Sequence, residues 1–134
     1  ERIKKVIYID ALLPDNGESV NELMSHSSFS KLKASSDLPG FIKPFWVKDF
    51  TKFPRDVPHP IRTLTDQVSI TNPKASIIPV TYILTYEGKI ENDDFYKFYL
   101  RAKARKDKTI EMEADHNPQI KKLKELVTLL HNEK

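Results

Sequence analysis

The sequence predicts an α/β domain: three parallel strands with flanking helices, carrying a helical cap insertion between the first strand and the second. Three observations lead there. Runs of β-forming residues stand at Val6–Ile9, Val80–Thr85 and Thr109–Glu113. Segments of helical periodicity follow the second and third of these runs. From Ser25 to Ser76 regular periodicity fades and proline and aromatic residues accumulate. Strands alternating with helices imply a parallel sheet wound by right-handed crossovers. The expected division is a core over residues 1–15 and 77–134 and a cap or lid over residues 16–76.

Val6-Ile7-Tyr8-Ile9 has no polar alternation, which suits a strand buried on both faces. Asp10 follows it directly, and Asp15-Asn16-Gly17 is turn chemistry. Ser19 and Glu22 have capping-box spacing for a helix through Leu23 and Met24. Six of the nine prolines, five of the seven phenylalanines and Trp46 lie between Ser25 and Ser76. Linkers lack aromatics, so this stretch reads as an insertion of short helices and turns with its own apolar face. The second strand breaks at Glu87-Gly88-Lys89. Asn92 is expected to cap a helix from Asp93 to Arg105, with Phe95, Phe98, Tyr99 and Ala102 on its apolar face. Arg101, Lys103, Arg105 and Lys106 fill its outer face and C-terminal end. Asn117 as cap and Pro118 at the first helical position open the last helix. Ile120, Leu123, Val127 and Leu130 form its apolar stripe, widened by Leu126.

A chain of 134 residues, 39% hydrophobic and 31% charged, can bury one modest core and is neither disordered nor fibrous. A net charge of +3 does not point to nucleic acid, and the basic stretch from Arg101 to Lys108 has no interleaved aromatic platform. There is no cysteine, which excludes disulfides, thiolate metal sites and a Cys nucleophile. His26, His59 and His131 lack the helical His partner or acidic cluster that metal sites use, so no metal and no cofactor is expected. No apolar run approaches the roughly 20 residues needed to span a bilayer, and no signal-peptide pattern opens the chain. The expectation is a cytoplasmic protein without membrane or nucleic-acid partners, compatible with a homodimer. A start at Glu1 and only three glycines lead to the expectation of a piece of something larger. The apolar first strand would also need a further strand beside it.

The stretch Ala114-Asp115-His116-Asn117-Pro118 joins the third strand to the last helix. That places a histidine at the carboxyl edge of a parallel sheet, where α/β proteins keep their chemistry. Histidine titrates near neutrality and is the commonest general base. The plainer alternative is a solvated loop residue.

Three stretches carry a family resemblance. Glu1 to Ser19, with Val6-Ile7-Tyr8-Ile9-Asp10-Ala11-Leu12-Leu13-Pro14-Asp15-Asn16-Gly17 at its centre, resembles the segment after the nucleophile helix of α/β-hydrolase esterases. Val57-Pro58-His59-Pro60, followed by Leu64-Thr65, is similar to the end of the cap in that family. Asp115-His116-Asn117-Pro118 resembles its catalytic-histidine loop. The resemblance covers the whole chain and corresponds to the C-terminal half of such an enzyme. It implies acyl transfer by a Ser-His-acid triad acting on a small ester, with His116 as the base. The acid would be Asp10, at the end of the first strand, or Glu87, on the loop after the second. Asp115 is disfavoured, because neighbours on an extended loop face different ways.

The nucleophile elbow, G-x-S-x-G, is absent from the sequence. The resemblance therefore implies a serine supplied by an N-terminal half of the same protein, and no turnover by this chain alone. Phe41, Phe45, Trp46 and Phe50 are candidates for an acyl or aryl pocket, or simply hold the cap together. Two competing functions are a non-catalytic ligand- or partner-binding domain and a hydroxynitrile-lyase-like C–C lyase. Asn117 argues against the lyase, in which a lysine usually follows the histidine.

Overall fold

A computed structural model of the chain describes residues 3–25, 28–31, 39–43 and 57–133. In chain order its elements are β1 (Val6–Ile9), α1 (Val20–Leu23), β2 (Phe41–Ile42), β3 (His59–Pro60), α2 (Arg62–Thr65), a 3-10 turn (Pro73–Ile77), β4 (Val80–Tyr86), a second 3-10 turn (Ile90–Asn92), α3 (Tyr96–Arg105), β5 (Lys108–Glu113), α4 (Pro118–Lys121) and α5 (Leu123–Asn132). They fall into two units, residues 1–13 with 72–134, and residues 14–71.

The first unit is a three-stranded parallel sheet in the order β1-β4-β5. Val6 to Ile9 lie opposite Val80 to Ile83, and Thr81 to Tyr86 lie opposite Lys108 to Glu113. β4 is the central strand, and Thr81 to Thr85 are all buried. That is the signature of a strand covered on both faces. α3 lies against β4 and β5 and buries Phe98, Tyr99 and Ala102. Side chains alternate along a strand, so Ile83 lies on the face opposite Tyr82 and Leu84. There it joins a cluster with Met112, Ala114 and Leu126, flanked by Ile7, Ile9, Ile110, Leu129 and Leu130. Each aliphatic side chain fully buried this way contributes about 1.5–3 kcal/mol.

The structure differs from the sequence expectations at three elements. β1 is half-buried along its length, because it stands at the sheet edge with β4 as its one neighbour among the described residues. The helix expected from Asp93 begins at Tyr96, and Ile90–Asn92 is a 3-10 turn instead. Asp93 belongs to that approach: its Oδ1 accepts the Phe95 amide at 2.8 Å, in an Asx turn.

The last helix is two helices, broken at Lys122 (φ −124°, ψ 32°). Asn117 stands at the N-cap as expected, with Pro118 after it, but its side chain makes no cap hydrogen bond; its Oδ1 accepts from Gln119 Nε2 at 3.1 Å. Leu126 is buried and Leu129 and Leu130 pack beside it, whereas Ile120, Leu123 and Val127 are 69%, 55% and 55% exposed. Buried Leu126 and Glu133 and partly buried Leu129 and Leu130 recur at helical spacing; Leu126 and Leu130 belong to the expected stripe, while Ile120, Leu123 and Val127 do not join the covered face.

In the second unit the capping box forms as expected: Ser19 Oγ accepts the Glu22 amide, and Glu22 Oε2 accepts the Ser19 amide at 2.6 Å. The helix it starts is one turn long. Gly17, at φ +84°, pairs its N–H with the Val68 carbonyl at 2.9 Å, and the Val68 N–H returns to Glu18. β2 and β3 make a short antiparallel pair, an addition to the expected helices and turns. Phe41 stands on β2 and is 38% exposed. Phe45, Trp46 and Phe50 lie outside the described residues. Among the described residues no helix is long and apolar enough to cross a membrane.

Candidate active site

Parallel strands bring the loops after β1, β4 and β5 to one edge of the sheet, and His116 stands there. Asp10 leaves β1 still bonded to β4, its N–H donating to the Ile83 carbonyl at 2.8 Å. The backbone then turns at φ +44°, in the left-handed region that Asp tolerates better than most residues. Two anchors fix the exit of the strand: the Tyr82 hydroxyl donates to the Ala11 carbonyl at 2.6 Å, and Arg101 donates to the Leu13 carbonyl at 2.8 Å. Arg101 is thus engaged with the sheet edge rather than only solvated.

Both oxygens of Asp10 are occupied, and the residue is 3% exposed. Oδ1 accepts the Thr85 amide at 3.2 Å. Oδ2 lies 2.6 Å from His116 Nδ1. A carboxylate accepts and cannot donate, so Nδ1 carries the proton in this contact. The other ring nitrogen, Nε2, is left without a proton in the neutral imidazole. The His116 side chain is 58% exposed.

The loop around His116 is held from both sides. The Ala114 N–H extends the ladder to the Tyr86 carbonyl at 3.1 Å, and Pro118 is fully buried. Asp115 accepts the Asn117 amide at 3.1 Å and pairs with Lys121 at 2.7 Å. The Lys121 ammonium holds the Asp115 carboxyl below its ordinary range. Asp115 thus braces the loop rather than the imidazole.

One face of the imidazole is covered. The Phe95 ring stacks on it with centroids 5.0 Å apart and planes 16° from parallel. The Asp93 carboxyl lies nearby. Burial first, and then the charge of Asp10, push it above the usual carboxylate range, against the bond from the Phe95 amide. The same two causes, burial and then Asp10, raise the Tyr82 hydroxyl. Ile9, Asp10, Ala11, Leu12, Phe95, His116, Asn117 and Gln119 line an open depression of about 450 Å³.

The structure thus brings together His116 and Asp10 of the sequence candidates. Glu87 is exposed and lines a second depression, of about 330 Å³, with Gly88, Glu113, Ala114, Asp115, Lys121 and Lys122. His59 donates to or accepts from the Thr63 hydroxyl at 2.9 Å, within the 14–71 unit. Among the described residues no group of three or more His, Asp or Glu is arranged to hold a metal. Sequence reasoning missed Phe95 and Asp93, reading the first as helix core and the second as a helix N-terminal acid. Their one signal is position, on the loop after a central strand.

A histidine held in this way can take a proton at Nε2 while the buried carboxylate stabilises the imidazolium that results. Comparison of the chain with protein-family models, with curated proteins and with solved structures gave no match.

Proposed function

We propose that the Asp10–His116 pair is the acid–base half of a serine-hydrolase triad, in the C-terminal part of an α/β-hydrolase fold acting on a small carboxylic ester. The observation that carries this reading is the 2.6 Å contact of His116 Nδ1 with a buried, doubly engaged Asp10. A base needs a fixed tautomer and a free nitrogen, and this contact supplies both. Asp10 takes the part of the acid, in preference to Glu87. The left-handed backbone at Asp10 supports the same reading, since such strain collects at functional sites. The serine would come from a segment outside these 134 residues, because the sequence has no G-x-S-x-G motif.

A second reading is a ligand-binding domain with no chemistry. The residues described around the depression include no Ser, Thr or Cys, which favours it. The two are separated by a fluorophosphonate probe applied to the protein that carries this chain. The hydrolase reading expects covalent labelling of a serine, lost or strongly slowed in His116→Ala. Labelling that is absent, or indifferent to His116→Ala, overturns it in favour of the binding domain.

A further inference from the structure

We infer that Phe95 is a positioning residue that fixes the plane of the His116 imidazole. The inference rests on the reading of Asp10–His116 as the acid–base pair. A single hydrogen bond sets the distance from Nδ1 to Oδ2 but leaves the ring free to swing about that axis. The His116 side chain is 58% exposed, so among the described residues little else surrounds it to stop the swing. Phe95 does: its ring lies 5.0 Å from the imidazole and within 16° of parallel. Offset-stacked aromatic pairs at this separation are favourable beyond their buried area.

Phe95 is itself anchored at three points. Its amide donates to Asp93 Oδ1 at 2.8 Å. Its ring meets that of Phe98 at 6.1 Å and 45°, and Phe98 is 1% exposed. Its carbonyl accepts the amides of Phe98 and Tyr99, at 2.9 and 3.2 Å. The imidazole is therefore held in its plane by Asp10 and against its face by a ring seated on the α3 core. With both restraints Nε2 keeps one direction, as proton transfer requires.

The test is NMR of this chain with 15N-labelled histidine, in the wild type and in Phe95→Leu and Phe95→Tyr. In the wild type the carbon-bound ring protons of His116 should be shifted upfield by the stacked ring, and the Nδ1 proton should exchange slowly with solvent. Phe95→Leu should remove the upfield shift and speed that exchange roughly tenfold. Phe95→Tyr keeps an aromatic ring and should restore both. A merely space-filling role would be served by leucine and would leave the exchange rate unmoved. The inference is overturned if the wild type shows no upfield shift, if Phe95→Leu retains the wild-type exchange rate, or if Phe95→Tyr behaves as the leucine variant. Should Phe95→Leu not fold, the wild type and Phe95→Tyr still decide, through the upfield shift. Failure of the acid–base reading looks different: the His116 signals would then be insensitive to Asp10→Asn, whatever Phe95 does.

Discussion

At the residue scale, Thr85 shows how closely Asp10 is built into the sheet. Its amide holds Asp10 Oδ1, while its own hydroxyl is buried with no hydrogen-bond partner among the described residues. An unmet buried hydroxyl costs about 1–3 kcal/mol. Thr85→Val keeps the shape and the amide, so it should raise the thermal midpoint by a few degrees. A circular-dichroism melt checks this, and a lower midpoint would mean that the hydroxyl is satisfied. His116 and Asp10 were legible in the sequence because each follows a run of β-formers, and strand ends are easy to read. Phe95 was not. An aromatic residue at helical spacing carries the same pattern whether it joins a core or covers a histidine. Asp93 was misread for a related reason: an acid near a helix start looks the same in the first turn and in the Asx turn before it.

At the element scale, the last helical segment is where pattern and structure part. Its existence was legible from periodicity, but its buried face was not: Leu123, Leu126, Val127 and Leu130 are all apolar at helical spacing, and the packing decides that Leu126 is covered while Leu123 and Val127 are exposed. Leu126→Ala should therefore cost about 2–5 kcal/mol, the usual range for a buried leucine. Val127→Ala, one position on and 55% exposed, should stay within about 0.5 kcal/mol of the wild type. Urea unfolding of the two variants compares them directly, and equal losses would contradict the observed phase. An edge strand and the central strand illustrate a similar limit. The run Val6–Ile9 looks as apolar as Val80–Thr85, yet only the second is covered on both faces. Composition reports the wish to be buried, and topology decides how far it is met.

At the scale of the whole sheet unit, the two ends of the parallel strands are closed differently. At the carboxyl ends stands the Asp10–His116 pair. At the amino ends a buried carboxylate ties the three strands to the end of α5. Glu133, with its side chain 2% exposed, accepts from Lys108 at the start of β5, from Thr81 of β4 at 2.9 Å, and from Lys5 before β1 at 3.2 Å. None of these contacts was legible, since they join residues 5, 81, 108 and 133, which are local to nothing in sequence. Lys108 above all, then Thr81 and Lys5, hold the Glu133 carboxyl at about 2 against the opposing effect of burial, below its ordinary 4.5. A carboxyl lowered in the folded state stabilises it above the unfolded value, and that stability is lost as pH falls from about 4.5 towards 2. Glu133→Gln should thus be less stable than the wild type at neutral pH, and the gap should narrow at pH values below 4.5. Urea midpoints across that range check it, and a gap that stays constant would contradict the clamp. The claim on which the functional account turns is that Asp10 sets the tautomer of His116. It is tested most directly by long-range 1H–15N correlation of the neutral His116 imidazole, in the wild type and in Asp10→Asn. The account predicts a proton on Nδ1 in the wild type and a move towards Nε2 when asparagine offers its amide donor in place of an acceptor. A proton on Nε2 in the wild type, or spectra that Asp10→Asn leaves unchanged, would contradict it.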